Sequence, residues 1–453
     1  MVKQLQSAED FSLDRIFISS ERFREIIDIK NITIEINIYE NIHMPYLTGS
    51  IMILDDNALF TAADFQGTEK LTVELSLPIN GATPISKTFV MNRIEKIQKS
   101  NDNTTMLLFN LIEDNGFYNN IQCFSKAYDG KGEKIIEKIL EDKLGKSLYS
   151  NSLMYKPSYQ SAFRLIVPYL NPFQAIRLVL EKMTTENGSP YYLYSTINSN
   201  DLVLTDLDTI MSRSPFNRGE PFQYDQTVSN DKNNSIILQS RAIYNMEAPN
   251  QEDTLLLSEL GAMGSTFSTI DMTTGEYIKF DHNLNKVYQQ LLSASVIPSD
   301  QTSLMIDNNF IADPLGFNTS RLSDYSSRHF TQAAGGRTFP YQANIDNLTY
   351  EKDPSSYKLK MYKFAIEQLL LKNTYELMLP GLRFLSSDVF SSVGNQLDVV
   401  VYKNQIVDEL TDPVDSKRSG SFIINTKRHI FNITDEKHVV SLSCSRISNR
   451  EVT

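Results

Sequence analysis

The chain of 453 residues contains no tryptophan and only two cysteines, Cys123 and Cys444. Two cysteines cannot build a disulfide framework or a cysteine-based zinc site, and such usage fits synthesis in a reducing cytoplasm. No apolar run reaches the ~18 residues that a membrane-spanning helix needs, and the opening MVKQLQSAED lacks a secretory signal pattern, so no membrane insertion is expected. Basic residues are in deficit: 43 Lys and Arg against 55 Asp and Glu leave a net charge of −12. Affinity for phosphates comes from clustered Lys and Arg that release counterions, so this balance disfavours a nucleic-acid-gripping surface.

Catalytic signatures are equally sparse. There is no GxSxG elbow, no HExxH and no glycine-rich dinucleotide fingerprint. Gly335-Gly336-Arg337 lacks the following Lys-Ser/Thr of a phosphate loop and reads as a turn. Of five histidines, His429 and His438 lie on the two arms of an expected hairpin; with no cysteine or dense carboxylate set nearby, they read as surface strand residues rather than a metal pair. Asp64, Glu69 and Asp114 supply the carboxylates that glycoside hydrolysis would require, but an acidic chain yields such sets by chance. Asp55-Asp56 is turn chemistry. No cofactor and no catalytic residue is expected.

What is present is strand periodicity. In NITIEINIYE, Ile32, Ile34, Ile36 and Ile38 face one way, with Thr33, Glu35, Asn37 and Tyr39 opposite. SIMIL and EKLTVELSL follow, the latter with Leu71, Val73, Leu75 and Leu77 on one face and Lys70, Thr72, Glu74 and Ser76 on the other. At Asp129 the period changes to 3.6. Ile135, Ile136, Ile139, Leu140 and Leu144 form one helical face stopped by Gly145, and Asn171-Pro172 opens a second helix. A hairpin, PYYLYSTI-NSND-LVLTD, comes next. From Phe222 strands return, with SIILQSRAIYNM the best of them, and helical patterns occur at Leu284–Leu291 and Tyr362–Leu370.

The final eighty residues repeat an earlier stretch. FIINTKRHIFNITDEKHVVSLSCS from Phe422 aligns without a gap on FVMNRIEKIQKSNDNTTMLLFNLI from Phe89, setting Asn92 on Asn425, Ile97 on Ile430 and Asp102 on Asp435. Each copy is preceded by a glycine and an alternating strand: Gly67 before EKLTVELSL, and Gly394 before NQLDVVVY. In the second, Leu397, Val399 and Val401 are expected inside, with Gln396, Asp398 and Val400 opposite. The expected fold is mainly β with α+β parts: two similar antiparallel β-barrel domains, an α/β domain between them and a partly helical insertion. The boundaries are an N-terminal arm at 1–20, a first barrel at 21–125, the α/β domain at 126–215, a second barrel at 216–275 and 373–453, and the insertion at 276–372.

Ile34–Glu40, Asn41-Ile42, Pro45–Ile51, Asp55–Asn57 and Gly67–Leu71 together resemble the first domain of baseplate hub proteins of contractile-tailed bacteriophages. NPFQAIRLVLEKM followed by PYYLYSTINSNDLVLTDLDTI resembles that family's second domain, and Ser419–Arg446 its second barrel; the plan is similar to the N-terminal region of type VI secretion spike proteins. Residues 1–20 and 276–372 lie outside the resemblance.

The resemblance implies a structural homotrimer in the virion tail baseplate, assembled in the host bacterial cytoplasm. Two barrels per chain make a pseudo-sixfold ring joining the hexameric tail tube to the trimeric central spike, with wedge proteins around it and a channel through which phage DNA passes without specific binding. Lys70, Thr72, Glu74, Ser76, Gln396 and Asp398 are the candidate channel-facing residues. The competing readings are a baseplate-associated cell-wall-degrading enzyme, which would need a nucleophile or carboxylate pair, and a receptor-binding tail protein, against which the helical middle region argues.

Overall fold

In a computed structural model the period-two segments become strands of one thirteen-stranded sheet. The structure describes residues 5–22, 25–55, 65–78, 83–99, 104–149, 154–159, 163–224, 235–250, 254–271, 275, 277–293, 310–312, 319–334, 363, 367, 374–385, 389–403, 414–415 and 418–447. Asp64, Gly335–Arg337 and the helical pattern at Tyr362–Leu370, apart from Lys363 and Glu367, lie outside the described residues.

The first seven strands are β1 (Ser12–Ser19), β2 (Ile27–Asp28), β3 (Thr33–Asn41), β4 (Thr48–Asp55), β5 (Lys70–Ser76), β6 (Ile85–Lys99) and β7 (Thr105–Glu113). β1 pairs along β5, so Ser12–Ser19 of the expected arm is a sheet strand: Leu13, Ile16 and Ile18 alternate toward the core. Ile36 and Ile38 are buried as the alternation requires. A bulge between Thr33 and Glu35 shifts the register, leaving Ile34 half-buried and turning Thr33 inward, where its hydroxyl donates to Ile29 O.

After α1 (Asp114–Asn120) comes an α/β unit of β8 (Phe124–Gly130), α2 (Gly132–Leu144), β9 (Phe163–Leu170), α3 (Pro172–Lys182), β10 (Tyr191–Thr196), β11 (Ser199–Asp206) and α4 (Leu207–Ser212). α2 buries Ile135, Ile136, Ile139 and Leu140 and ends at Gly145 in the left-handed region. α3 starts on an Asn171–Gln174 capping box with Pro172 in its first turn.

β12 (Phe222–Tyr224), α5 (Ile236–Gln239), β13 (Asn245–Asn250) and α6 (Thr254–Glu259) follow. SIILQSRAIYNM is therefore not one strand. Ser235 caps a single helical turn by accepting from Leu238 N, and extended pairing begins only at Asn245. β14 (Gly264–Asp271), β15 (Tyr277–Asn283), α7 (Leu284–Ser293), β16 (Phe310–Ala312), β17 (Thr319–Arg321) and β18 (Arg328–Ala334) form a side structure in which β15, β14 and β18 make their own sheet. β14 thus lies with the insertion and not with the second repeat. β19 (Thr374–Pro380), β20 (Gln396–Val401), β21 (Gly420–Asn432) and β22 (Lys437–Arg446) return to the large sheet.

The strand order repeats. One half of the large sheet runs β1-β5-β6-β7-β4-β3 and the other β12-β20-β21-β22-β19-β13, so β1 and β3–β7 map in chain order onto β12, β13 and β19–β22. Register agrees as well. Phe89 faces Leu71 and Glu113; Phe422 faces Leu397 and Arg446, with Glu113 and Arg446 equally far along the chain from their phenylalanines. Both copies bulge at the aligned asparagine, between Met91 and Arg93 and between Ile424 and Thr426. Met91 N donates to Glu69 O and Ile424 N to Asn395 O. Gly67 and Gly394, which lead into β5 and β20, both have positive φ, 85° and 73°. The copies part at their first strand, where β1 is antiparallel to β5 but β12 is parallel to β20.

The two halves meet where β21 pairs with β3, making one open sheet; no barrel closes among the described residues. Phe89 and Phe422 are fully buried, each in the hydrophobic core of its half. Phe89→Ala and Phe422→Ala should each lower stability by about 3–5 kcal/mol in urea denaturation. A loss under about 1 kcal/mol at either position would contradict their equivalence.

Candidate functional site: the joint between the repeats

The joint holds a cluster of buried charged side chains. Glu40, at the end of β3, lies opposite Lys427 of β21 in register, and Lys427 Nζ sits 3.1 Å from Glu40 Oε2 with both side chains fully buried. Ile197 N donates to Glu40 Oε1 at 2.9 Å, and Lys427 Nζ donates to Ser391 O at 3.3 Å. His429 Nε2 lies 3.5 Å from Glu40 Oε1, and its Nδ1 lies 2.9 Å from Nε2 of His438. His438 stacks on Phe431 with ring centroids 4.2 Å apart, and Gly381 packs so closely that a Cβ there would overlap the His438 ring.

Burial pushes the Glu40 carboxyl up, but the Lys427 cation, His429 and the Ile197 N–H outweigh it and hold the group at about 2. Burial lowers His429, and the Lys427 cation lowers it further, to about 4 against the opposing pull of Glu40. Burial and its neighbours His429 and Lys427 place His438 well below the ordinary histidine range. The set is a charged Glu–Lys pair roofed by two neutral imidazoles.

A second buried pair lies in the first repeat. Lys87 Nζ is 3.8 Å from Glu113 Oε1, while Glu113 Oε2 accepts from Leu47 N at 2.9 Å and Ser195 Oγ at 2.7 Å. Lys87 also donates to Ser199 O. The tip of the β10–β11 hairpin therefore contacts both pairs, Ser195 and Ser199 at Glu113–Lys87 and Ile197 at Glu40. Asn198 Nδ2 donates to Ser391 Oγ at 3.0 Å, next to the carbonyl that Lys427 uses.

His429 and His438 are thus not surface residues. They lie diagonally across the β21–β22 pair, both buried, with Phe11 and Gly381 packed against His438, and among the described residues no group of three or more His, Cys, Asp or Glu is placed to hold a metal. Glu69 accepts from the Gln66, Gly67 and Thr68 amides and from Arg22, which makes it a turn carboxylate. Asp114 pairs with Lys146 at 3.2 Å.

On β5, Lys70 is exposed and Thr72, Glu74 and Ser76 are half-buried on one face, opposite the buried Leu71, Val73 and Leu75. Glu74 has Arg15 and Ser86 as cross-strand neighbours, and the Thr72 and Thr88 hydroxyls lie 3.1 Å apart. The matching face of β20 is not open. Gln396 and Asp398 are buried, as is Val400, because α4 and the segment after it cover this strand. Gln396 Nε2 donates to Ile210 O and Met211 O, Asn217 bonds the Asp398 backbone on both sides, and Ser421 Oγ donates to Asp398 Oδ1 at 2.6 Å.

Reading the sequence by its apolar periodicity passed over Glu40, Lys427, Lys87 and Glu113. One signal was available for Lys87: it has the parity of Ile85 and Phe89, so a lysine stands where the alternation puts a core residue.

No family model and no curated relative matches this chain. Solved structures do match along nearly its whole length. A tail protein from Neisseria meningitidis MC58 aligns with a TM-score of 0.53 at 10% identity, covering 96% of this chain and 97% of that one. The 43 kDa tail protein of prophage MuSo2 from Shewanella oneidensis aligns with a TM-score of 0.50 at 9% identity, covering 95% and 98%. A component of the type VI secretion system of E. coli is matched at a TM-score of 0.40 and 8% identity, over 96% and 78%. The chain therefore has a phage tail-protein fold. The similarity to hub-like tail proteins read from sequence motifs agrees with that fold.

Lys427→Met should cost about 3–5 kcal/mol in urea denaturation, since it strands a buried carboxylate, and Glu40→Gln added to it should recover part of that loss. Stability should also fall with pH before the carboxylates titrate. His429 has a folded pKa of about 4, below its unfolded value near 6.5, so its contribution is complete above about pH 6.5 and declines toward pH 4 as the unfolded chain takes up protons. His438 acts in the same direction. Denaturation midpoints that do not change between pH 7.5 and pH 5 would contradict this buried neutral pair.

Proposed function

We propose that this chain is the structural hub of a phage tail baseplate. Three copies form a ring of six similar sheet units, which joins a sixfold tail tube to a trimeric spike and encloses a channel for DNA. The observation that carries the reading is the internal repeat: one strand order and one register occur twice in a chain whose fold is that of tail proteins. Two quasi-equivalent units per chain are what a threefold assembly needs in order to present six positions to a sixfold partner. Residues 12–125 form the first unit and 216–250 with 373–453 the second; the α/β unit at 126–215 braces them through the β10–β11 tip, and 254–372 is a side domain. The chain acts without catalysis or cofactor, as a virion component assembled in the host cytoplasm, with wedge proteins around it.

The negative balance of the chain suits a wall past which DNA moves without adhering. Since β20 has no open face, the channel lining is assigned to the first repeat alone: Lys70, Thr72, Glu74 and Ser76.

Light scattering on the purified chain should give three times its mass of 51.6 kDa, and a single-chain mass would overturn the ring. The pure protein should leave a suspension of bacterial cell walls turbid, whereas clearing would favour the enzyme reading. Glu74→Lys places three new cations around the channel; particles carrying it should assemble but eject DNA several-fold more slowly at low salt, where screening is weakest. Normal assembly with unchanged ejection at low salt would put β5 outside the channel.

A further inference from the structure

The repeat joins its two halves by pairing that only one half uses. In β21, Gly420–Ile423 pairs with β20; beyond the Asn425 bulge, residues 426–432 leave β20 and pair with β3. The carbonyl of Asn425 marks the change, accepting from Ile42 N at 3.0 Å. β6 repeats the first part: residues 85–90 pair with β5, the bulge falls at Asn92, and residues 93–99 pair with β7 alone. Among the described residues, the edge of β6 corresponding to the one that β3 covers on β21 has no strand against it. The strand equivalent to β3 in the second half is β13, and it ends the sheet, paired only with β19. β6 and β13 lie apart in one strand path, with β19, β22, β21, β3, β4 and β7 between them.

We propose that β13 of one chain pairs antiparallel with the distal half of β6 in the next chain, reproducing the β3–β21 joint between copies. This deepens the ring reading above and rests on it. The interface is head-to-tail, so each chain offers one β6 edge and accepts at one β13 edge.

The register follows from the partner strands. Lys427 faces Leu442 as Ile94 faces Phe109, which sets Arg428 on Lys96, His429 on Ile97 and Ile430 on Gln98, one residue off the gapless alignment of Ile97 with Ile430 because β6 bulges a second time between Ile94 and Lys96. Thr374 faces Ser445 as Thr48 faces Ile112, which sets Ile36 on Met246 and Asn37 on Glu247. In the chain, Asn37 faces Ile430, so between chains Glu247 faces Gln98 and Ala248 faces Ile97.

Side-chain chemistry fits this register. Arg428 Nε donates diagonally to Asn37 Oδ1 at 3.1 Å inside the chain; the equivalent diagonal between chains is Lys96 with Glu247, a pair of opposite charges. Asn37 is held by a contact with Glu35, and Glu247 by one with Asn245 at the equivalent position. Ile97 is 53% exposed, whereas its counterpart His429, on a strand that β3 pairs, is fully buried. In the segments flanking β13 along the chain, Ile237, Leu238, Tyr244, Leu255 and Leu256 are also exposed, which supplies apolar area for an incoming chain.

The test is disulfide trapping in a Cys123→Ser background, since Cys444 is buried and inert. Residues directly opposite across an antiparallel pair have Cα atoms about 4.5–5.5 Å apart, within disulfide reach. Gln98→Cys with Glu247→Cys should therefore give covalent species of up to three chains on non-reducing gels under mild oxidation. Each single variant, and Glu95→Cys with Glu247→Cys about 10 Å out of register, should not. Linking by the out-of-register pair would overturn the register. A three-chain mass by light scattering with no linking by either pair would overturn this joint while leaving the ring intact, and a single-chain mass would overturn both. Lys96→Glu, which needs no cysteine, should shift the assembly toward single chains at low salt, and Lys96→Glu with Glu247→Lys should restore it. Failure of that charge swap to restore assembly, when Lys96→Glu alone disrupts it, would separate Lys96 from Glu247 and overturn the pairing.

Discussion

The buried Glu40–Lys427 pair is the constraint on which the rest of the arrangement depends. Desolvating two charges is costly, and it is tolerated only where geometry is close and remaining valences are satisfied. Here the satisfying groups come from two places: the Ile197 amide in the α/β unit, and the Ser391 carbonyl with the Val393 amide ahead of β20. Each group is correctly placed only when the two repeats and the hairpin have docked together. The pair therefore acts less as a source of net stability than as a condition on one relative position of three units.

The bulges set where each strand changes partner. At Asn92 and Asn425 the long strand shifts register against the neighbour it keeps, β7 or β22, and beyond that point its other edge has left β5 or β20 and is freed to meet another strand. In β21 that neighbour is β3 of the same chain. A strand of thirteen residues can serve two sheets in this way, so two separate hairpin systems become one continuous surface. The same device, repeated in β6, leaves an edge that a monomer has no reason to keep open.

Identical topology does not mean identical faces. β5 has a half-open polar side, whereas all six residues of β20 are buried. The difference lies outside the repeat: α4 and Asn217 cross over β20 and occupy the polar groups of Gln396 and Asp398. Quasi-equivalence thus holds for the backbone ladder and fails wherever the intervening unit rests on one copy.

The sequence alone determined the local elements and the repeat. Alternation in EKLTVELSL, the Asn171-Pro172 start, the Gly145 stop and the alignment of Phe89 with Phe422 depend on nearest-neighbour sterics and on period, which are written in consecutive residues. The strand in Ser12–Ser19, the split of SIILQSRAIYNM and the burial of His429, His438, Gln396 and Asp398 were decided by the tertiary structure. Each depends on which distant segment covers a face, and polarity along a strand does not report that. Lys427, at an inward position of β21, looks like an error in the alternation until Glu40, hundreds of residues away, supplies its partner; charge is legible in sequence, but its compensation exists only in space.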